Sequence, residues 1–352
     1  MEAASIPAGP PVSQRVKALV GTYGLALVLL ALPLYYAISD LVNDGDLVRL
    51  GENLTAGISN GAIWALVAIG YTLVYGIIEL INFAHGEVFM IGSFVSAAFF
   101  MSVLGLEKGA NAIALFFGLL LTLFVAMLAS GSLNAMIERV GYKPLRTAPK
   151  LAPLITAVGF SFILQNVGLL WKGGSQQGIP DLINAQHTIV TIFGVTIENA
   201  DLLSIFLTIP LLIVMTTFIN RSRLGKAMRA TAQDPEAARL MGINVDTTIS
   251  LTFLIGGMLA GAAGLIYALY QTTIWYFQGF TGGLIAFTAA VMGGIGNLRG
   301  AVLGGLIIGC IQQISDNRIG SAWTPAVVFS YLVLIMVFKP SGLLGEQTRD
   351  AG

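Results

Sequence analysis

Ten long apolar runs, separated by short polar segments, fill most of this 352-residue sequence. A helix needs about 20 residues to cross the roughly 30 Å of hydrocarbon in a bilayer, and most of the runs reach or approach that length. We therefore predict an all-α polytopic membrane protein with about 8–10 transmembrane helices. The runs lie near residues 19–42, 54–78, 88–106, 111–137, 152–171, 201–220, 249–273, 282–296, 301–315 and 324–338.

Two of the runs, 282–296 and 301–315, are short for a full span and are predicted to be re-entrant or broken. The first is rich in glycine, as in the Gly-interrupted helices that leave backbone groups free to line a cavity. Glycine pairs four residues apart also let helix backbones approach closely in lipid. Such pairs favour a tightly packed bundle and occur at Gly57 and Gly61, Gly257 and Gly261, Gly300 and Gly304, and Gly305 and Gly309.

The overall composition agrees with a membrane class. Apolar residues make up 56% of the chain and charged residues only 10%, whereas a soluble domain carries about 25% charged residues. The formal net charge is zero, so nothing indicates nucleic-acid binding. The single cysteine, Cys310, excludes an internal disulfide and a Cys-rich metal site.

Basic residues are concentrated in two of the polar segments. Segments 138–150 and 220–247 are rich in Lys and Arg, whereas 43–53 and 172–200 are poor in them. By the positive-inside rule the first two are predicted to be cytoplasmic and the last two to lie outside. Ten crossings then place both chain termini in the cytoplasm.

The ends of the chain are predicted to be tails. Residues 1–18 are expected to form a disordered cytoplasmic tail and residues 341–352 a second cytoplasmic tail. The apolar run at 19–42 is too long for the apolar region of a signal peptide, which has 7–15 residues, and no clear cleavage site follows it. We therefore interpret this run as a retained first span.

A short helix is predicted within the polar segment 220–247. Asp234 is a good N-cap, and Pro235 fits the first helical position, where its missing N–H costs nothing. Glu236 suits the positive end of the helix dipole. Gly242 can adopt the left-handed conformation that ends a helix. The helix is about seven residues long.

One face of this helix is apolar, because Ala237, Leu240 and Met241 are spaced at i, i+3 and i+4. A helix this short is marginal in water and needs a surface on which to pack. Two interpretations remain open: a rigid peg that a partner contacts, and a capped connector lying on the membrane surface.

Four polar residues lie close together at the edge of two spans: Glu79, Asn82, His85 and Glu87. Ionisable groups in a membrane indicate a functional site by default. Their spacing on a short bend does not match a known metal-ligand pattern. A structural turn, a gate or path-lining element, and a proton-coupling element remain as alternatives.

Three further polar residues, Asn60, Gln165 and Asn166, lie inside apolar runs. Hydrogen bonding between helices is the commoner role of such residues, and lining of a translocation path is the alternative. In the outer segment 172–200, β-branched residues over 188–197 predict a small hairpin that turns at Gly194. This segment is either a docking surface for an extracytoplasmic partner or an ordinary connector.

Three motifs in this chain resemble one known family. The stretch from Gln233 to Asn244, which reads QDPEAARLMGIN, is similar to the coupling loop of permeases in ATP-binding-cassette (ABC) importers. The NFAHGE core of residues 76–92 and the stretches 290–301 and 339–345 resemble the branched-chain amino acid permease family of the LivH type. The resemblance covers about residues 50–346.

The resemblance implies a transmembrane permease domain over residues 19–340, with 220–247 as its cytoplasmic coupling loop. A helix that couples to the ATPase would be formed by Asp234, Pro235, Glu236, Ala237, Ala238, Leu240, Met241 and Gly242. The gate or translocation path would involve Glu79, Asn82, His85, Glu87, Asn60, Gln165 and Asn166.

The resemblance also implies a subunit that imports branched-chain or other small amino acids across a prokaryotic inner membrane. The expected partners are two cytosolic ATPases, a second homologous permease, an extracytoplasmic solute-binding protein and the lipid membrane. The chain has no G-x-x-x-x-G-K-[ST] phosphate loop, so ATP and Mg²⁺ are expected on the partner subunits and this chain is not expected to be an enzyme. The alternatives are a stand-alone proton-coupled secondary transporter, an ABC permease for urea or short amides and, third, a membrane-embedded enzyme.

Overall fold

The computed structural model describes residues 12–146, 148–149 and 151–345. Helices dominate this part of the chain, in agreement with the predicted all-α class. In chain order they are α1 Val12–Asn43, α2 Val48–Ile78, α3 His85–Ala98, α4 Ala112–Ile137, α5 Leu151–Lys172, α6 Asn199–Arg221, α7 Arg223–Gln233, α8 Pro235–Leu240, α9 Val245–Gln271, α10 Gln278–Gly293, α11 Leu298–Ser315 and α12 Thr324–Phe338. Three of these helices are each extended by one π-helical turn. The turns are Phe99–Val103 after α3, Glu138–Tyr142 after α4 and Asp316–Gly320 after α11.

Two small antiparallel strand pairs lie at one end of the bundle, which we call the hairpin end. The strands are β1 Gln177–Gly178, β2 Thr188–Ile192, β3 Val195–Glu198 and β4 Thr273–Ile274. Strands β2 and β3 form a hairpin whose turn residues Phe193 and Gly194 have φ values of 52° and 87°. The hairpin predicted to turn at Gly194 is thus confirmed. Strand β1 pairs with β4 and joins the segment after α5 to the connection between α9 and α10.

The centre of the bundle is formed by α2 and α9, whose side chains are mostly buried. Helices α3, α10 and α11 pack around them. Helices α1, α4, α5 and α6 are peripheral and expose large apolar side chains, such as Phe116 and Phe117 on α4 and Phe206 on α6. Apolar surface of this extent is expected where helices face lipid rather than water.

Eight helices in the described residues are long and apolar enough to cross a membrane. The eight lie within the predicted range of 8–10 and define a multi-pass membrane protein. Helices α10 and α12 are shorter, with 16 and 15 residues. The prediction of a short segment at 301–315 is wrong, because Asn297 caps α11 and the helix continues to Gly320.

Helix α10 is short, as predicted, but it is not interrupted at its first glycine pair. It runs unbroken through Gly282 and Gly283, which lie against Trp64, Gly86 and Tyr71 on neighbouring helices. The helix ends instead at Gly293, where Gly294 takes a φ of 105°. The first two glycines therefore serve close packing, and the break occurs at the end of the motif.

The predicted small-residue packing is clearest between α2 and α11. A Cβ atom on Gly57 would lie 2.6 Å from the Cα atom of Cys310, and one on Gly61 would lie 2.8 Å from the carbonyl oxygen of Gly305. Gly309 meets the backbone of α2 from the other side. Because only a hydrogen atom fits at these positions, the two backbones come into direct contact.

The first helix begins at Val12, within the segment 1–18 that is predicted to be a tail. No Gly or Pro occurs between Val12 and Val20 to end the helix, which explains the extension beyond the apolar run. The rest of the predicted N-terminal tail, 1–11, and residues 346–352 of the predicted C-terminal tail lie outside the described residues. Helix α1 is attached to the bundle by a buried ion pair, in which Arg318 donates to Asp40 at 2.6 Å.

Candidate functional site

Helix α7 folds back against the end of α6, opposite to the hairpin end. The hydroxyl oxygen of Ser222 accepts a hydrogen bond from the Gly225 N–H at 2.9 Å and caps α7. Arg229 on α7 donates to the carbonyl oxygen of Ile219 at 2.6 Å, which satisfies an acceptor at the end of α6. Sequence reasoning had treated α7 only as a polar stretch, although Ser222 was a recognisable N-cap.

Helix α8 has the capped form predicted from sequence. The Asp234 Oδ1 atom accepts hydrogen bonds from the backbone N–H groups of Glu236 and Ala237, both at 2.9 Å. Pro235 occupies the first turn, and Gly242 follows the helix with a φ of 83°. These features fix both ends of a helix of six residues.

The outer face of α8 is apolar and exposed. Ala238 is 3% exposed and packs into the bundle, whereas Leu240 and Met241 are 89% and 83% exposed. The predicted face of Ala237, Leu240 and Met241 is therefore turned away from the described part of the chain. Two long apolar side chains at a polar end of a membrane protein are suited to contact with another surface.

An ion-pair network joins the end of α4 to the start of α9, directly after α8. Arg146 binds Asp246 at 2.5 Å and also the buried carboxylate of Glu138. Lys143 lies 3.2 Å from Asp246, and Ser250 donates to Glu138 at 2.6 Å. The network attaches the connection between α4 and α5 to α9, the helix that follows α8. It was not predicted, because the partners are about 100 residues apart in sequence.

The four residues predicted around the bend at 79–87 occupy different environments. Glu79 ends α2 and is exposed, with a φ of 52°. Asn82 is buried, donates to Asn134 on α4 at 3.0 Å, and accepts from the hydroxyl of Tyr142 at 3.1 Å. Asn82 therefore holds the bend against α4.

His85 and Glu87, at the start of α3, are almost completely buried. The His85 ring lies edge-on to Tyr71 of α2, with ring centroids 4.8 Å apart. The backbone of Val67 on α2 lies near the imidazole ring. Neither ring nitrogen has a partner with good hydrogen-bond geometry in the described residues. The Glu87 Oε1 atom accepts a long hydrogen bond of 3.4 Å from Ser161 on α5, and Oε2 has no partner there.

A pocket of about 260 Å³ lies between α5 and α10, beside Glu87. Its volume is well above the few tens of Å³ that one water molecule needs. The wall is mostly aromatic and aliphatic, and it is lined by Tyr71, Phe83, Val158, Ser161, Phe162, Gly279, Phe280, Gly283, Leu284 and Phe287. A largely apolar pocket with a few polar groups is typical of small-molecule sites.

A second cavity of about 570 Å³ opens at the α7–α8 end. Its wall includes Thr72 and Gly76 from α2, Arg229 from α7, and Arg299 at the start of α11. Beside it, two of the sequence motifs meet: the N–H of Leu343 donates to Met292, and that of Leu344 to Gly293, at 2.8 and 2.9 Å. The segment 339–345 thus donates hydrogen bonds to the last two carbonyl groups of α10.

The three predicted intramembrane amides differ in their contacts. Asn60 donates to Gln313 on α11 at 3.0 Å, which is a hydrogen bond between helices. Asn166 is exposed and donates to the carbonyl oxygen of Phe162 within its own helix at 2.8 Å. Gln165 is half-buried on α5. None of the three lines the 260 Å³ pocket.

The hairpin end is also partly apolar on its surface. All residues of β2 are exposed, and Phe193 at the turn is 97% exposed. The hairpin rests on the start of α2 through contacts of Val195 with Gly51 and of Gly194 with Val48. Burial, and then the neighbouring Asp201 and Glu52, raises the pKa of Glu198 above its ordinary value.

No group of three His, Cys, Asp or Glu side chains that could hold a metal ion occurs in the described residues. The candidate site has the Glu87 carboxyl group next to two wall residues of an apolar pocket. A multi-pass helical bundle with such a pocket, and with a capped helix projecting from one end, has the features expected of a membrane permease. The chain belongs to the family described as branched-chain amino acid transport system / permease component, whose model matches residues 53–338.

Curated relatives match over nearly their whole length. The chain is 40% identical over 298 residues to the high-affinity branched-chain amino acid transport system permease protein BraD of Pseudomonas aeruginosa, covering 84% of this chain and 95% of that protein. It is 39% identical over 299 residues to the permease protein LivH of Escherichia coli K12, with the same coverage. A probable LivH of Methanocaldococcus jannaschii is 27% identical over 316 residues, with 84% and 93% covered. No solved structure matches the chain.

Proposed function

We propose that this chain is the transmembrane permease subunit of an ABC importer that moves branched-chain or other small amino acids inward. The observation that carries the proposal is α8, a helix fixed at both ends that presents Leu240 and Met241 to a partner. A stand-alone transporter has no need of such a projecting helix. The transport functions of BraD and LivH support the choice of cargo.

The proposed complex has two cytosolic ATPase subunits, a second homologous permease and an extracytoplasmic solute-binding protein. ATP and Mg²⁺ bind to the ATPases, and this chain holds no cofactor. The basic residues of segments 138–150 and 220–247 support a cytoplasmic position for α7, α8 and both termini in a prokaryotic inner membrane. The hairpin end then faces the binding protein.

Closure of the ATPases would displace α8 in this mechanism. Helix α9 follows it after a short connection, and Asp246 in its first turn is bound to Arg146 and Lys143. These contacts support a route by which movement of α8 reaches the connection before α5. Helix α5 carries Ser161 and Phe162 of the 260 Å³ pocket, so a small tilt would change access to it.

Affinity purification from native membranes in mild detergent, followed by mass spectrometry, tests the proposal. We expect the wild-type chain to recover an ATPase with a phosphate-binding loop and a second permease. Substitution of Leu240 and Met241 by Ser should abolish recovery of the ATPase, because it removes the apolar contact surface. Val190→Ser on the exposed hairpin is the matched control and should leave recovery of the ATPase intact. Wild-type protein that purifies alone in several detergents would contradict the proposal.

A further inference from the structure

Glu87 is a buried carboxylate without a cationic partner. It is 1% exposed, and the ion pairs formed by the described residues do not include it. Among the described residues, the only hydrogen bond to its side chain is the long one from Ser161, at 3.4 Å. A buried charge is costly unless it is paired and hydrogen-bonded, so an ionised Glu87 needs a partner that the described residues do not supply.

Both carboxylate oxygens meet residues that line the 260 Å³ pocket. Oε1 accepts from the hydroxyl of Ser161, and Oε2 lies so close to Gly279 that a Cβ atom there would collide with it. Ser161 and Gly279 belong to the wall of the pocket. Two wall residues, Ser161 and Gly279, therefore lie next to the Glu87 carboxyl group.

The remainder of the wall is mostly apolar. Four phenylalanines from three different segments surround the cavity, at positions 83, 162, 280 and 287. Aromatic faces attract an ammonium group as well as packing against aliphatic chains. The hydroxyl of Tyr71 is a further polar group on the wall. The pocket thus combines a neighbouring carboxyl group with a large apolar surface, which fits a small molecule that has one ammonium group and an aliphatic body.

We propose that Glu87 binds the ammonium group of an aliphatic amino acid during its passage, while the phenylalanines contact the aliphatic side chain. The inference rests on the proposed function and names a cargo-binding residue within it. Ser161 orients the carboxylate through Oε1, and Gly279 has no side chain that would collide with Oε2. The cargo then provides the positive charge that the buried carboxylate lacks.

The test uses the complete importer, with its ATPases and binding protein, in proteoliposomes. Radiolabelled leucine reports uptake, and photo-leucine, which carries a diazirine, reports by mass spectrometry which residues the cargo touches. In the wild type we expect photo-leucine to label α5 and α10 at the pocket wall. Glu87→Gln should lower both labelling and uptake at least tenfold, because it removes the charge with little change in shape. Glu87→Asp should retain part of both.

Two further variants separate binding from misfolding. Glu107→Gln, an exposed carboxylate outside the pocket, is the matched control and should behave like the wild type. Gly279→Ala keeps the carboxylate but occupies the space in front of Oε2, and it should also lower labelling. Assembly with the ATPases on size-exclusion chromatography shows that each variant is folded.

Four results would overturn the inference. The first is labelling outside the pocket, and the second is Glu87→Gln uptake within twofold of the wild type. The third is wild-type uptake that follows an imposed proton gradient and loses this dependence in Glu87→Gln, which would make Glu87 a proton carrier. In these cases ATP-dependent uptake by the wild type still supports the proposed function. Absence of that uptake is the fourth result, and it would reject the proposed function together with the inference.

Discussion

Removal of the Asp234 cap should weaken binding of the ATPase by a calculable amount. Asp234→Ala leaves the N–H groups of Glu236 and Ala237 without the two 2.9 Å bonds that they now donate. Loss of an N-cap costs about 1 kcal/mol, within a range of roughly 0.5–2 kcal/mol. A six-residue helix is marginal by itself, so nearly all of this cost should appear as a smaller population of the binding-competent form. The apparent Kd for the ATPase should rise about fivefold, within roughly 2- to 30-fold.

The assay is a titration of the permease in nanodiscs with purified, fluorescently labelled ATPase. Asp234→Asn is the matched control, because Asn caps helices about as well as Asp, and its Kd should remain close to that of the wild type. A loss of affinity in Asp234→Asn equal to that in Asp234→Ala would show that the charge matters rather than the cap. An unchanged Kd in Asp234→Ala would refute the argument that a preformed α8 is the docking element.

Three further predictions concern stability, measured as thermal unfolding in detergent. Asp40→Ala leaves Arg318 buried without its 2.6 Å partner and should cost about 3–5 kcal/mol; an unchanged melting temperature would contradict this role. Gly61→Ala forces a Cβ atom to within 2.8 Å of the α11 backbone and should cost about 1–3 kcal/mol. Gly159→Ala is the control, because its Cβ atom enters open space. Equal melting temperatures of the two variants would refute the packing argument. Arg146→Ala leaves the buried Glu138 without its ion-pair partner and should also cost about 3–5 kcal/mol; a loss below about 1 kcal/mol would make this ion pair marginal.

The local features of this fold could be predicted from sequence because their causes are local. The cap, first turn and end of α8 depend on residue types at fixed offsets, and the structure has Asp234, Pro235 and Gly242 in those positions. The hairpin turn at Gly194 could likewise be predicted, because glycine readily adopts a positive φ and β-branched residues precede and follow it. The structure has Gly194 at a φ of 87° between β2 and β3. Small-residue spacing correctly indicated close helix contacts, although it could not indicate that α2 would meet α11.

The environment of the candidate site could not be predicted, because it depends on contacts between distant segments. Glu79 and Glu87 lie eight positions apart in similar surroundings in the sequence, yet Glu79 is exposed and Glu87 is buried. Glu87 lies on α3, which packs against α4, α5, α9 and α10, and its carboxyl oxygens lie next to Ser161 and Gly279. Pairing of Arg146 with Asp246 likewise requires the packing of α4 against α9.

Uptake of radiolabelled leucine into proteoliposomes containing this permease, its partner permease, the ATPases and the binding protein tests the central claim most directly. The account predicts uptake that requires hydrolysable ATP on the side of α8, does not change when a proton gradient is imposed, and is lost when Leu240 and Met241 are both replaced by Ser. Uptake by this chain without the ATPases, driven by a proton gradient and insensitive to those substitutions, would contradict it.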